Sequence, residues 1–351
     1  QGRAIWVLDD VAPLRQMADA RAHDGAFLFT PSPAYRLRRS QNKDTPPPAD
    51  TPLGTNPPDG AILDYRLPQA AKGAVAIEIR DAQGALVRRF ASDAVSPWRP
   101  SERYFAEAWV KPDARPATSA GAHRFVWDLR AVRPHAISYD YSIAAVHGRD
   151  TPLTPQGAMV APGRYDVALL VDGQTLHAPL EVKPDPRNPA TMADLQAATA
   201  FARALGASLD RAYLAYGQLQ ALRTQLDALR KGDGALVGDA RKPIDLLYDA
   251  TTPLVSGTGA DQPGIATVSG VLSSLYTDVE GADRAPTAAQ RAVQADYDAR
   301  LDAWLQRWQA LRDGDVKKVD AQLVAIGKPA IRLPAIEEIR LEGAGEAKDL
   351  P

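Results

Sequence analysis

The sequence predicts a multidomain chain, β first and α second: an Ig-like or fibronectin-III-like antiparallel β-sandwich, then a long antiparallel helical hairpin or small bundle. Three observations predict it. Proline removes a sheet donor and breaks helix interiors, and 22 of the 29 prolines precede residue 190. Between residues 60 and 183, short alternating runs are separated by glycine-bearing turns. From Leu195 to Leu229, apolar or small residues return every three or four positions, the spacing of one helical face.

The elements follow in order. Ala4-Ile5-Trp6-Val7-Leu8 is an apolar run suited to a covered strand, and Asp10 to Gln16, with Pro13 early, suits a short helix start. Ala26-Phe27-Leu28-Phe29 is a second apolar run. Residues 46–59, with six prolines among them, read as an extended linker, so the first segment is 1–45 and the sandwich 60–185. Within the sandwich, Ala61 to Leu67 and Val75 to Arg80 are strands, and Asp81-Ala82-Gln83-Gly84 turns the chain into Ala85 to Phe90. Gly121 to Leu129 is a strand with Trp127 in its core. Asp172-Gly173 closes a hairpin between Pro162 to Val171 and Thr175 to Val182, because glycine tolerates the positive φ that tight hairpins need.

The helical part spans 186–327. Asn188 or Thr191 caps a first helix of roughly 60 Å, at ~1.5 Å per residue. Val293, Tyr297, Leu301, Trp304, Trp308 and Leu311 repeat its spacing after Pro286-Thr287, so the two are expected to pack antiparallel. Shorter helices are expected at 244–248, 268–276 and 315–326. The tail, 328–351, is expected to carry little structure beyond one strand near 336–341.

Composition bounds the chemistry. Lys+Arg 41 against Asp+Glu 43 gives a net charge of -2, so no overall basic field invites nucleic acid. No apolar run approaches the ~18 residues of a membrane span. The absence of cysteine removes disulfides, thiolate nucleophiles and Cys-based metal sites. The five histidines lack metal-pair spacing, and calcium, phosphate-loop, Gly-x-Ser-x-Gly and Ser-x-x-Lys patterns are missing; no cofactor is expected.

Paired carboxylates serve sugar hydrolysis, and Glu102, Glu107, Asp128 and Asp140 lie among several aromatics. A core role for Trp127 and a turn role for Asp128 are the stronger readings. Trp98, Tyr104, Trp109, Tyr139 and Tyr141 are the candidate binding residues, since flat rings with polar edges hold proteins and glycans when exposed. Trp304 and Trp308 read as packing groups. Arg36, Arg38, Arg39 and Lys43 read as a solvated linker entrance.

Several segments together carry a family resemblance. Gly2 to Asp10 followed by Pro13-Leu14-Arg15-Gln16 resembles the end of the β-propeller in bacterial sortilin-like, BNR-repeat proteins, often described as glycosyl-hydrolase-like. Arg124-Phe125-Val126-Trp127-Asp128-Leu129-Arg130, Thr151 to Gly157, Pro162-Gly163-Arg164-Tyr165 and Ala285 to Gln290 resemble the region that follows the propeller there. The resemblance implies that 1–45 is the remnant of the last blade and its exit. It also implies a truncated, processed or fragmentary chain, and export to the periplasm or beyond, although the first residues lack signal-peptide character. No Asp-box Ser-x-Asp-x-Gly-x-x-Trp occurs, so no catalytic residue carries over. The expected function is that of a non-catalytic accessory region, partnered by the parent's propeller and by a protein or glycan. The alternative is part of a glycoside hydrolase, with Asp128 or Asp140 in a cleft that the propeller completes.

Overall fold

A computed structural model of the chain describes residues 8–38, 57–96, 113–141, 153–231 and 236–341, with the backbone alone at Asp140 and Tyr141. After two short helices, α1 (Ala12–Arg15) and α2 (Met17–Ala22), come β1 (Phe27–Leu28), β2 (Ala34–Arg36), β3 (Ala61–Leu67), β4 (Ala76–Asp81), β5 (Leu86–Ala91) and β6 (Gly121–Trp127). A small pair, β7 (Asp140–Tyr141) and β8 (Leu153–Thr154), precedes the long hairpin of β9 (Gly163–Val171) and β10 (Gln174–Pro184).

Alternation decides which side of each strand is buried. Ile77 and Ile79 point into the core while Glu78 between them binds Arg80 and Arg89 on the outside. Phe125 and Trp127 do the same on β6, with Arg124 directed outward. These residues share one apolar core with Leu63, Tyr65, Val167, Leu169 and Leu180. The Trp127 indole, wholly buried, donates to the Arg130 carbonyl at 2.9 Å. At the hairpin, Asp172 (φ 46°) and Gly173 (φ 81°) form the left-handed pair that matches strand twist, and the register runs from Gln174 against Val171. Gly84 (φ 80°) serves the turn from β4 to β5.

The two sheets are not an Ig-like antiparallel sandwich. One sheet, β1-β3-β6, is antiparallel; the other, β2-β10-β9-β4-β5, is mixed and curls into a half-barrel, because β2 runs parallel to β10. The first segment causes this: β1 joins the small sheet, and six residues later β2 joins the edge of the large one. Strands of two and three residues carry too little alternation to be read from sequence. The apolar run at 4–8 lies outside the described residues apart from Leu8, as does most of the 46–59 linker.

The helical unit holds α3 (Met192–Arg230), α4 (Lys242–Ser256), α5 (Ile265–Glu280), α6 (Ala288–Leu311) and α7 (Lys317–Ala325). Thr191 and Asp194 form a capping box at the start of α3, and Thr287 and Gln290 form one at α6, each satisfying amides that a helix start leaves open. At 39 residues α3 is about 58 Å long. The expected hairpin is corrected here. Every stripe residue from Leu195 to Leu226 is buried, but so are Phe201, Ser208, Tyr213 and Ala215 on other faces. A helix buried on several sides needs several neighbours. It packs against α5 and α4 as well as α6, with no single long partner. Val293 accordingly stays partly exposed.

Two further features were not expected. Residues Arg312–Val316 form a π turn between α6 and α7. Leu301, Trp304 and Trp308 are buried before it, Val316 at its end, and Val319 and Leu323 after it. From Trp308 to Val316 is eight residues, whereas a plain α-helix returns to the same face after about seven, so the wider turn absorbs the extra residue. The tail near 336–341 is a strap on α3 instead of a strand, with one 3-10 turn at Ile336–Glu338. The Tyr213 hydroxyl donates to the Ile339 carbonyl (2.8 Å), and Gln225 exchanges two hydrogen bonds with the backbone of Arg332. Ile339 fills the space where Gly217 has no side chain: a Cβ there would lie 2.5 Å from Ile339 Cγ2.

Two variants test these placements. Deleting Gly314 leaves seven residues from Trp308 to Val316, the plain α-helical return, so it is expected to turn the π segment into α-helix, keep Val316, Val319 and Leu323 in the core and cost less than about 1 kcal/mol in urea denaturation. Gly217→Leu is expected to free the strap, read as faster amide exchange across 331–341 with exchange in α5 unchanged.

Candidate functional site

The predicted aromatic face is only partly within the described residues. Trp98, Tyr104 and Trp109 lie outside them, as do Glu102 and Glu107, and the side chains of Tyr141 and Asp140 are not described. Tyr139 is half-buried, and its hydroxyl donates to the Pro134 carbonyl (3.2 Å) and accepts the Ala136 amide (3.0 Å). Burial raises its pKa, and Arg133 sits 5.1 Å over its ring. Asp128 is exposed and receives the Arg130 amide at 3.1 Å, the turn role expected of it. Trp304 and Trp308 are buried in the helical core.

A surface that sequence reasoning passed over is built from the first described segment. Asp10 accepts the Ala12 amide (2.8 Å) and the Ser32 hydroxyl (3.0 Å), a turn that leads the chain into α1 and ties it to the approach to β2. The Gln16 side chain exchanges two 2.9 Å hydrogen bonds with the backbone of Thr30. Arg66 reaches the Ala20 carbonyl at 3.1 Å, and Ala20 is fully buried. The stretch 8–22 is therefore pinned through polar groups and one buried alanine. Its large apolar side chains face away: Leu8, Val11 and Leu14 are 52%, 43% and 59% exposed. Beside them is a depression of about 200 Å3 lined by Leu8, Pro13, Leu14, Phe29, His123 and Arg124, among others.

The floor of that depression is rigid. Arg124 grips Asp64 through both carboxylate oxygens at 3.0 and 3.1 Å, and this pairing raises the arginine pKa. Next to it the His123 ring lies 5.1 Å from the Tyr65 ring, with Nε2 2.6 Å from the Ser119 carbonyl. Burial pushes the Tyr65 hydroxyl up to about 12. These charges and rings are already partnered, so the surface offers apolar contact and shape more than unsatisfied polar groups.

The second cluster corrects the expectation of a solvated basic entrance. Arg36 is 1% exposed and lies between the β and helical units. Its Nη1 binds Asp283 at 2.7 Å and its Nε donates to the Val160 carbonyl at 2.9 Å. Burial pulls its pKa below the usual value, and Asp283 opposes that. Arg38 also binds Asp283 and donates to the Glu280 carbonyl at the end of α5, where a cation suits the helix terminus. Glu280 in turn holds Arg130 (2.9 Å) and accepts the Met159 amide (3.1 Å). Arg39 and Lys43 lie outside the described residues. Among the described residues every cation and carboxylate of this cluster is matched, and together they join the two units. Sequence spacing could not reveal it, because its members lie at 36, 38, 130, 280 and 283.

Among the described residues no group of three or more His, Asp or Glu side chains is arranged to hold a metal ion, and no helix is long and apolar enough to cross a membrane. Comparison of the chain with protein-family models, with curated proteins and with solved structures gave no match.

The join is testable. Asp283→Asn leaves Arg36 buried without its counter-charge and is expected to cost about 3–5 kcal/mol in urea denaturation, whereas Arg36→Met with Asp283→Leu costs less than that single change. A pH series tests the buried tyrosines. Tyr65 and Tyr213 are both pushed up to about 12 by burial, while an unfolded tyrosine ionises near 10. Their share of stability is complete below pH 10 and is lost as the pH climbs from 10 to 12. Tyr65→Phe is expected to shallow that fall, measured as the denaturation midpoint at each pH.

Proposed function

We propose that this chain is a non-catalytic accessory region of a secreted BNR-repeat, sortilin-like propeller protein, and that it holds the propeller against the Leu8-Val11-Leu14 ridge. The observation that carries this reading is the ridge itself: three exposed apolar side chains on a segment that polar contacts fix in place. A fixed apolar surface suits a standing partner, since no ordering cost is left to meet on association. The segments resembling the propeller exit, Gly2 to Asp10 and Pro13 to Gln16, support the choice of partner, because Leu8 and Leu14 lie on them. The same resemblance supports work outside the cytoplasm.

The experiment mixes this chain with the propeller proposed to precede Gln1, supplied as a separate polypeptide, and measures association by calorimetry. Binding is expected, with Leu14→Asp weakening it at least about tenfold, the loss of one buried leucine. Thermal stability of the variant alone should be unchanged. No association, or glycan hydrolysis by the chain on its own, would overturn the reading.

A further inference from the structure

A second surface depression, of about 370 Å3, lies on the helical unit between α4 and α6, away from the ridge. On α4, Leu246, Ala250 and Pro253 follow one another at helical spacing, and Leu246 is 71% exposed. The other wall is Trp304, Arg307, Ala310 and Leu311 of α6, continued by Asp315 in the π turn. The Trp304 indole donates to the Pro263 carbonyl at 2.8 Å, so its polar end is already satisfied and its ring forms an apolar floor.

The charges on this wall form a pattern. The Arg307 guanidinium lies 4.7 Å over the Trp304 ring, which holds it in place, and no carboxylate partners it among the described residues. Among the described residues Asp315 has only Lys318, at 3.2 Å, and both are exposed, a weak pairing. Arg307 and Asp315 are eight residues apart, about 12 Å along the helix, and Leu311 stands midway. A positive group and a negative group placed equally on either side of an apolar centre are complementary to their own copy after a twofold rotation.

We propose that a second copy of this chain covers the groove. With the twofold axis through Leu311, α6 packs antiparallel on the partner's α6. Leu311 then meets the partner's Leu311, and Arg307 meets the partner's Asp315 at both ends. The π turn contributes directly: the residue it absorbs keeps Val316 in the core and leaves Asp315 on the groove wall. The contact is short, so the dimer is weak, with Kd on the order of tens of micromolar. This inference is independent of the ridge and of the partner proposed there.

Sedimentation equilibrium of the full chain tests it. The unaltered protein is expected to shift from monomer to dimer with concentration. Arg307→Asp and Asp315→Arg each place like charges opposite one another and should weaken the dimer at least about tenfold. An equimolar mixture of these two variants restores opposite charges at both ends and should recover the dimer, as should the double exchange in one chain. Ala310→Glu, at an exposed position on the groove rim, gives a second disruption should either charge variant fold poorly. A protein that stays monomeric throughout, a dimer indifferent to all three substitutions, or a mixture that fails to recover association would each overturn the proposal. Monomer with tight binding of a small apolar acid at Arg307 would assign the groove to a ligand instead.

Discussion

A guanidinium without water must have a carboxylate beside it, and for Arg36 the carboxylate belongs to the other structural unit. That requirement places the loop between α5 and α6 against β2, and Arg38, Glu280 and Arg130 extend the same contact to the loop before β9. The Val160 carbonyl and the Met159 amide are used as well, so backbone as well as side chains fixes the geometry. The sheets and the helices each have an apolar core of their own. What aligns one with the other in this region is largely charge and hydrogen bonding, which is directional where apolar burial is not.

Within the helical unit α3 plays the corresponding part. Its neighbours meet it from several sides, including the strap, whose contact depends on the missing side chain of Gly217. Tyr276 on α5 sends its hydroxyl to the Gln156 carbonyl at 2.8 Å, and Thr199 on α3 reaches the Met159 carbonyl at 3.1 Å. The segment before β9 is thereby read by both helices. Apolar packing sets the bundle, and a few hydroxyls set its position relative to the sheets.

What could be read from the sequence was local. The Asp172-Gly173 turn, the Asp81 to Gly84 turn, the cap at Thr191 and the stripe along α3 depend on residues a few positions apart, and each stands where the pattern put it. Burial of Trp127, Trp304 and Trp308 followed from the same periodicities. The failures were of long range. Phe27–Leu28 and Ala34–Arg36 are strands only because β3 and β10 are there to pair with them, which made the second sheet mixed. Arg36 read as solvated because Asp283 is 247 positions away. Ser208 and Gly217 gave no sign that α3 would be enclosed. The candidate aromatic site was legible as composition, but only Tyr139 among its five residues has a described side chain. The ridge was legible as a helix start and not as a surface, since exposure is a property of the assembled sheet.

The way β1, β2 and Arg36 are built into both units gives the amino-terminal segment an unusual autonomy. Split between residues 38 and 57, the protein would still offer a short peptide two strands to add and one cation to seat, while the larger piece would retain an empty sheet edge and an unanswered aspartate. Two such fragments carry the instructions for reassociation, so complementation in trans is a natural way to install labels or unnatural residues in the ridge without remaking the remainder.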